Sequence, residues 1–392
     1  MHGLTTPFLR SLLFLLLCTP LLRAEVRLPR LIGDGMVLQR DTEVEVWGWA
    51  DAGESVTVTF EGKSYTAEPE ANGRWSTTLP AHPAGGPYSM TVTGTNTISL
   101  SDILFGDVWL CSGQSNMEYS MGMVASRYAD AIAASTNDRI RQFNVPKEYD
   151  FQGPRTDYNR GEWTPADPES VRDFTAVGYF FAREINERYD VPVGLINASL
   201  GGSPAEAWMT PAALQEYPGL YDDALRYRDT AYVAEVRRSD RERIGGWYGD
   251  LKGKDAGYGG TVAWSDPAAN DDDWATTTLP GFWNDTELGN ANGSVWYRRI
   301  FEVPASLTGK EVSLPFGNII DADSVWINGT FVGGFGSQYV PRNYTVPAGV
   351  LRVGENTIAV RVVSAAGRGG FIPDKTYALT DGTTTVDLTG QW

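Results

Sequence analysis

A serine becomes a nucleophile when a base can take its proton and N–H groups face the oxyanion that its attack creates. Ser115 stands where that chemistry is expected, in the stretch GDVWLCSGQSNMEYS at 106–120. The apolar run Val108-Trp109-Leu110-Cys111 reads as a fully buried strand of an α/β sheet. Ser112-Gly113 stops that run with residues small enough for a sharp turn. Gln114-Ser115-Asn116 then lies beyond the carboxyl end of the strand, where open α/β sheets place their ligands. The same residues admit a plainer reading. Ser115-Asn116-Met117-Glu118 fits S-x-x-E, a capping box in which Ser115 only satisfies a backbone N–H.

GDVWLCSGQSNM resembles the signature of the sialate O-acetylesterases, a carbohydrate-esterase branch of the SGNH hydrolases. The resemblance implies that Ser115 is the catalytic nucleophile and that its own N–H helps form an oxyanion hole. It also implies that Gln114 and Asn116 line the substrate site. A second block, VPVGLINASLGGSPAEAWM at 191–209, resembles the family stretch in which a glycine N–H contributes to the oxyanion hole. That role falls to Gly201 or Gly202, and the sequence does not choose between them. Trp208 is expected to pack beneath this turn.

In that family the base is a histidine with an aspartate three residues before it, and a Gln-Gly-Glu-Ser-Asn-like block completes the oxyanion hole. Neither motif occurs in these 392 residues, whose two histidines are His2 and His82. His82 sits in a Pro-Ala-His-Pro loop and reads as solvated. The acidic neighbours by sequence, Asp107, Glu118 and Glu206, are poor partners for a serine at neutral pH when exposed. Lys147 lies in a Pro-Lys-Glu-Tyr segment that reads as surface loop. The resemblance therefore implies the front part of a secreted carbohydrate O-acetylesterase, truncated before the catalytic Asp/His segment and with little activity alone. The alternative is a non-catalytic carbohydrate-binding protein, suggested by the β modules and the missing histidine.

The elements that must position Ser115 follow from patterning. Residues 25–103 alternate as an all-β domain, with strands at 44–49, 55–60, 74–79 and 88–93 and turns at Glu61-Gly62 and Asn72-Gly73. This spacing suits a small β-sandwich. From 104 to 244 strands and helices alternate, as the first part of an SGNH hydrolase domain. A short helix is expected at 128–135, a strand at 140–145, a helix at 174–188 with Asp173 near its start, and a second buried parallel strand at 191–200. Helix is expected again over 210–244, interrupted at Pro218-Gly219. Residues 245–261 read as a Gly-rich linker. Beyond it LPGFW, VWYRRIFEVP, DADSVWINGTFVGG and GENTIAVRVV resemble the jelly-roll, sugar-binding-type (galactose-binding-like) domain found in many glycosidases. That domain is placed at 262–372, inserted in the hydrolase, with 373–392 leading back to it. The fold class is thus α/β: a partial SGNH-type parallel-sheet hydrolase domain with an N-terminal β-sandwich and an inserted jelly-roll β domain.

Composition narrows the function classes. Residues 1–24 read as a secretory signal: Arg10, a short greasy core at 12–17, and Ala24 before Glu25. The expected location is secreted or periplasmic. No run approaches the 18 apolar residues of a membrane span. Removing Arg10 and Arg23 leaves 30 basic against 49 acidic side chains, a net charge of −19 that repels nucleic acid and anionic lipid. Only Cys111 then remains, so no intramolecular disulfide is possible, and this buried thiol is expected to be inert. Two histidines exclude a histidine-based zinc site. No metal or other cofactor is implied, and the expected partner is an acetylated sugar or glycan.

Overall fold

The computed structural model describes residues 25–392 other than Ser126, so the leader expected at 1–24 lies outside the described residues. The chain divides into two compact units, one ending at Glu216 and one spanning Tyr217–Trp392.

In the first unit β1 (Val37–Gln39), β2 (Val44–Trp49), β3 (Val56–Phe60), β4 (Lys63–Ala67), β5 (Arg74–Leu79) and β6 (Gly85–Thr93) precede β7 (Thr97–Gly113). They are followed by α1 (Ser115–Glu118), α2 (Ala129–Ala133), β8 (Asn137–Asn144), β9 (Trp163–Ala166), α3 (Ala176–Tyr189), β10 (Val193–Ser199) and α4 (Pro211–Leu214). One sheet runs β4-β3-β6-β7-β10-β8-β9, with β1 also beside β7. β2 and β5 pair separately, and their Val46, Trp75 and Leu79 share a core with Val58, Met90 and Val92 of β3 and β6.

β7 is the spine of this unit. Its first half pairs antiparallel with β6, and its last seven residues, Asp107 to Gly113, pair parallel with β10. The boundary expected at 103/104 therefore falls inside one strand, and the meander and the parallel strands form one sheet. Between Leu100 and Ile103 the register with β6 slips at Asp102, which adopts φ +56°, a left-handed conformation that aspartate tolerates better than most residues. Arg141 of β8 holds that kink. Its side chain is 2% exposed; Nη1 donates to the carbonyls of Gly35 (2.9 Å) and Asp102 (2.6 Å), Nη2 to Asp102 Oδ1 (2.9 Å) and Nε to Asp138 O (2.7 Å).

The run 108–111 is not fully buried as expected. Trp109 is 45% and Leu110 66% exposed, while Cys111 is buried. β1 stops opposite Gly106, so beyond it β7 has a neighbouring strand, among the described residues, on the β10 side only. Trp109 meets Phe181 of α3, edge to face at 4.9 Å. α3 lies close to the strand because Gly178 has no side chain: a Cβ there would come within 3.0 Å of Cys111 Sγ. Its cap is Thr175, whose Oγ1 accepts from Gly178 N–H, and Asp173, expected to serve its start, ends a preceding turn instead.

The second unit holds α5 (Pro218–Arg226), α6 (Thr230–Lys254) and α7 (Ala256–Gly259), then β11 (Thr278–Leu279), β12 (Gly281–Phe282), β13 (Gly293–Val303), β14 (Val312–Pro315), β15 (Ile319–Ile320), β16 (Ala322–Ile327) and β17 (Thr330–Phe335). It closes with β18 (Asn343–Val346), β19 (Gly354–Ser364), β20 (Gly370–Phe371), β21 (Ala378–Thr380), β22 (Thr385–Asp387) and β23 (Gly390–Gln391). Two four-stranded antiparallel sheets, β13-β19-β16-β17 and β18-β14-β21-β22, contribute Tyr297, Val325 and Val360 and Leu314, Val346 and Leu379 to one core.

Two boundaries differ from expectation here. The glycines expected to make a linker at 245–261 lie in helix as far as Lys254, because glycine weakens a helix without the steric veto of proline. Asp229 caps α6 through Ala231 N–H (2.8 Å), and Arg238 bridges Glu235 and Glu242 along it. Residues 373–392 do not leave the β domain. β21 pairs with β14, β23 with β11, and Leu379, Leu388 and Trp392 lie in the same core. Among the described residues no helix is long and apolar enough to cross a membrane.

Replacing Arg141 by Met should lower the stability of the first unit by about 3 kcal/mol, since the bonds to Gly35, Asp102 and Asp138 are lost together from a buried side chain. Urea unfolding followed by tryptophan fluorescence measures this, and Arg141→Lys should recover only part of it because an ammonium cannot reproduce the fork. A change under about 0.5 kcal/mol would show that the clasp does not hold the kink.

Candidate active site

The parallel register of β7 and β10 places Gly113 opposite Ser199, so the turns that follow the two strands meet. Gly113, at φ +136°, makes the break that side-chain-bearing residues rarely allow. Gln114 is the N-cap of α1 and makes no side-chain cap bond, which leaves Ser115 at the first helical position. The capping box does not form. Ser115 is exposed, and its hydroxyl has no hydrogen-bond partner among the described residues. The N–H groups of Ser115 and Asn116 open the helix and have no acceptor within it.

The second turn is tied to the first at several points. Leu200 N–H donates to Gly113 O (3.0 Å), and Gln114 Nε2 donates to Ser203 O (2.7 Å). Ser203 Oγ donates to Leu200 O (2.6 Å) and accepts from Trp208 Nε1 (2.9 Å). Trp208 itself is 47% exposed, so it stands beside the turn and does not pack beneath it. Gly201 lies against the serine: a Cβ on Gly201 would be 3.4 Å from both Ser115 Cα and Cβ. Asn116 is exposed at the same end of the strand.

Glu118 joins the two turns, a role that its spacing in sequence did not disclose. One carboxylate oxygen accepts from Lys147 Nζ and the other from the N–H of Gly201, 83 residues away. Of the two candidate oxyanion donors, Gly201 is thus engaged, whereas Gly202 N–H has no partner among the described residues. Burial raises the Glu118 carboxyl, but the bonds from Lys147 and Gly201 and the lysine's charge outweigh it, and the net direction is down. Lys147, read as surface loop, is half exposed but committed to this carboxylate.

None of the ionisable groups near the serine by sequence is bonded to it among the described residues. Asp107 pairs with Arg40 (2.8 Å), and Glu206 lies in the short turn Ala205–Trp208. His82 is not simply solvated. It is half buried, 4.5 Å from the ring of Phe105, with Nδ1 at 2.8 Å from Pro83 O and Nε2 at 3.4 Å from Glu61. Burial pushes the Cys111 thiol up to about 11, which keeps it protonated and unreactive at neutral pH. Among the described residues no group of three or more His, Cys, Asp or Glu could hold a metal ion. The arrangement sets a hydroxyl with no bonded base among the described residues beside N–H groups that lack an acceptor.

Residues 105–239 match the family of carbohydrate esterases described as sialic acid-specific acetylesterases. Over that segment the chain is similar to this acetylesterase family. The acetylesterase relatives include the sialate O-acetylesterases of Rattus norvegicus, 30% identical over 202 residues (47% of this chain, 37% of the relative), and of Homo sapiens, 30% identical over 205 residues (47% and 39%). These alignments cover under two fifths of the relatives' own length. The crystal structure of a carbohydrate acetylesterase from Xanthomonas citri is similar over 48% of this chain and 43% of that chain, at 45% identity and a TM-score of 0.47. Residues 261–386 match the sugar binding domain of family 2 glycosyl hydrolases.

Because its carboxyl sits below the ordinary glutamate value of 4.5, Glu118 contributes stability above that pH and loses it as the pH falls through its own lower midpoint. A carbon-detected NMR titration of the Glu118 carboxyl should give a midpoint below 4.5, and Lys147→Ala should move it upward. A midpoint at or above 4.5 that the lysine does not influence would show that the bridge is absent in solution.

Proposed function

We propose that this chain is a carbohydrate O-acetylesterase acting through Ser115. The observation that carries the reading is the free Ser115 hydroxyl at the carboxyl end of β7, beside the Gly201-Gly202 turn and with unpaired N–H groups around it. In the reaction Oγ attacks the acetyl carbonyl carbon and the π pair moves onto its oxygen. The N–H groups of Ser115 and Gly202 hold that oxyanion. Collapse of the intermediate expels the sugar oxygen, which takes a proton, and water then releases acetate from the acetyl-enzyme. Gln114 acts by fixing the two turns to each other, and Asn116 faces the substrate side.

The proton acceptor for Ser115 is not among the groups bonded near it. Loss of the base of a serine triad costs about 10^6 in kcat, so the 392-residue chain alone should turn over close to background. The curated relatives are named for sialate, and acetylated sialic acid and acetylated neutral sugars are both candidate substrates. Residues 261–386 carry a carbohydrate-binding role, supported by their match to a sugar binding domain. Export by the leader read at 1–24 suits an extracellular glycan substrate.

The test measures acetate release from acetylated xylo-oligosaccharides and from O-acetylated sialic acid. It uses the chain alone and the chain fused to the Asp/His-bearing hydrolase segment of an acetylesterase relative. Near-background release alone, and release by the fusion that Ser115→Ala reduces by at least about 10^3, is the expected result. Ser115-dependent turnover or rapid fluorophosphonate labelling of the chain alone would reveal a base among its own residues. Activity of the fusion that survives Ser115→Ala would overturn the nucleophile.

A further inference from the structure

The second unit contains a cleft of about 1010 Å³ with several aromatic side chains in its walls. Trp264 and Trp274 stand at it half exposed, edge to face with ring centroids 4.7 Å apart, and Trp283 and Tyr297 form deeper wall. Aromatic faces of this kind pack against the C–H faces of pyranose rings, which are apolar on one side and rimmed by hydroxyls. The cleft also offers polar groups with nothing to bond. The indole N–H groups of Trp264 and Trp274 and the carboxylate of Glu287 have no hydrogen-bond partner among the described residues. Tyr297 is 7% exposed overall, and its hydroxyl, likewise without a partner among them, is not fully buried.

Charge decides which sugars fit. The cation lining the cleft is Arg298, and it is consumed by the protein. Its Nε donates to Asp271 Oδ2 (2.8 Å), Nη1 to the carbonyls of Trp264 and Asp266, and Nη2 to Ala269 O (3.2 Å). It therefore shapes the loop 264–271 and has little left for an anion. Glu287 remains as an uncompensated negative charge, with Asp272 and Asp273 exposed next to Asp271 on the same loop. An uronate or a sialate would meet repulsion there, whereas a neutral sugar hydroxyl would find an acceptor.

We propose that this cleft is a binding site for neutral pyranose oligosaccharides, with Trp264 and Trp274 as stacking faces, Tyr297 as the deep hydrogen-bonding group and Glu287 as the acceptor that excludes acidic sugars. It rests on the carbohydrate-binding role assigned above to residues 261–386 and is independent of chemistry at Ser115.

The test titrates the 392-residue chain with xylohexaose and cellohexaose, and with oligogalacturonate and sialyllactose as acidic comparators, by tryptophan fluorescence and calorimetry. Saturable binding of a neutral hexasaccharide is expected, at least about tenfold tighter than either acidic glycan at low salt, with the gap narrowing as salt is added. Trp274→Ala should weaken it by about tenfold or more, and Tyr297→Phe severalfold, with thermal melts reported for each variant. Glu287→Lys, a surface change with little risk to folding, should bring oligogalacturonate affinity up to that of the neutral sugars. Neutral-sugar binding that is untouched by Trp274→Ala and Glu287→Lys would overturn this cleft while leaving the broader carbohydrate role standing. Preference for acidic glycans would overturn the charge assignment and with it the proposal. No saturable change with any glycan up to about 10 mM would overturn both the cleft and the broader role.

Discussion

A strand that is antiparallel to one neighbour and parallel to the next has to reconcile two hydrogen-bond geometries within a few residues. In β7 the register with β6 slips between Leu100 and Ile103, where Asp102 takes its left-handed conformation, and the guanidinium of Arg141 reaches across from β8 to bond both that backbone and the Asp102 carboxylate. Everything near Ser115 inherits its position from that point. Beyond the kink β7 runs in register with β10, their ends stop together at Gly113 and Ser199, and the two turns can then share hydrogen bonds. A slip of one residue would turn Cys111 out of its contact with Gly178 and separate the serine from the glycine turn.

The same device recurs in the second unit. Arg298 pairs with Asp271 and bonds three carbonyls, and Arg342 pairs with Asp323 (2.6 Å) while bonding carbonyls that include Ile319 (2.9 Å). Each arginine is almost wholly buried, and each ties together carbonyls from separate positions along the chain. A guanidinium suits this because its five donors spread in one plane and it remains charged. The stabilisation is conditional: breaking such a pair leaves a buried charge and several orphaned carbonyls. The tryptophan cleft depends on one of these clasps, since Arg298 sets the course of the loop that carries Trp264 and Asp271.

Electrostatics at the serine follow a different logic. Glu118 is near enough to the nucleophile to suggest a base, yet its two oxygens are committed to Lys147 and Gly201 and its carboxyl is held low. A carboxylate stabilised in this way is a poor proton acceptor but a good strut between two turns. The engagement of Gly201 also separates the two glycines chemically, because an N–H already donating to a carboxylate is unavailable to an oxyanion.

Local patterns in the sequence determined the strands of the meander at 44–49 and 74–79, the parallel pair that flanks the serine, and α3 nearly to its ends, since alternation and helical spacing are properties of neighbouring residues. The GQSN and GGS turns were legible for the same reason, and they drew attention to Ser115, Gly201 and Gly202 before any geometry was known. Tertiary structure alone decided the rest. Trp109 and Leu110 look like core in sequence and are exposed, because burial depends on which elements lie alongside and not on the run itself. Residues 373–392 looked like a return to another domain, yet their partners β14 and β11 lie far back in the chain. Glycines at 245–253 suggested a linker and lie in helix, where propensity is a cost that neighbouring caps and ion pairs can override. The Glu118–Lys147–Gly201 bridge, the Arg141 clasp and the cleft around Trp264 and Trp274 each join residues brought together only by the chain's path, and no spacing records a contact of that kind.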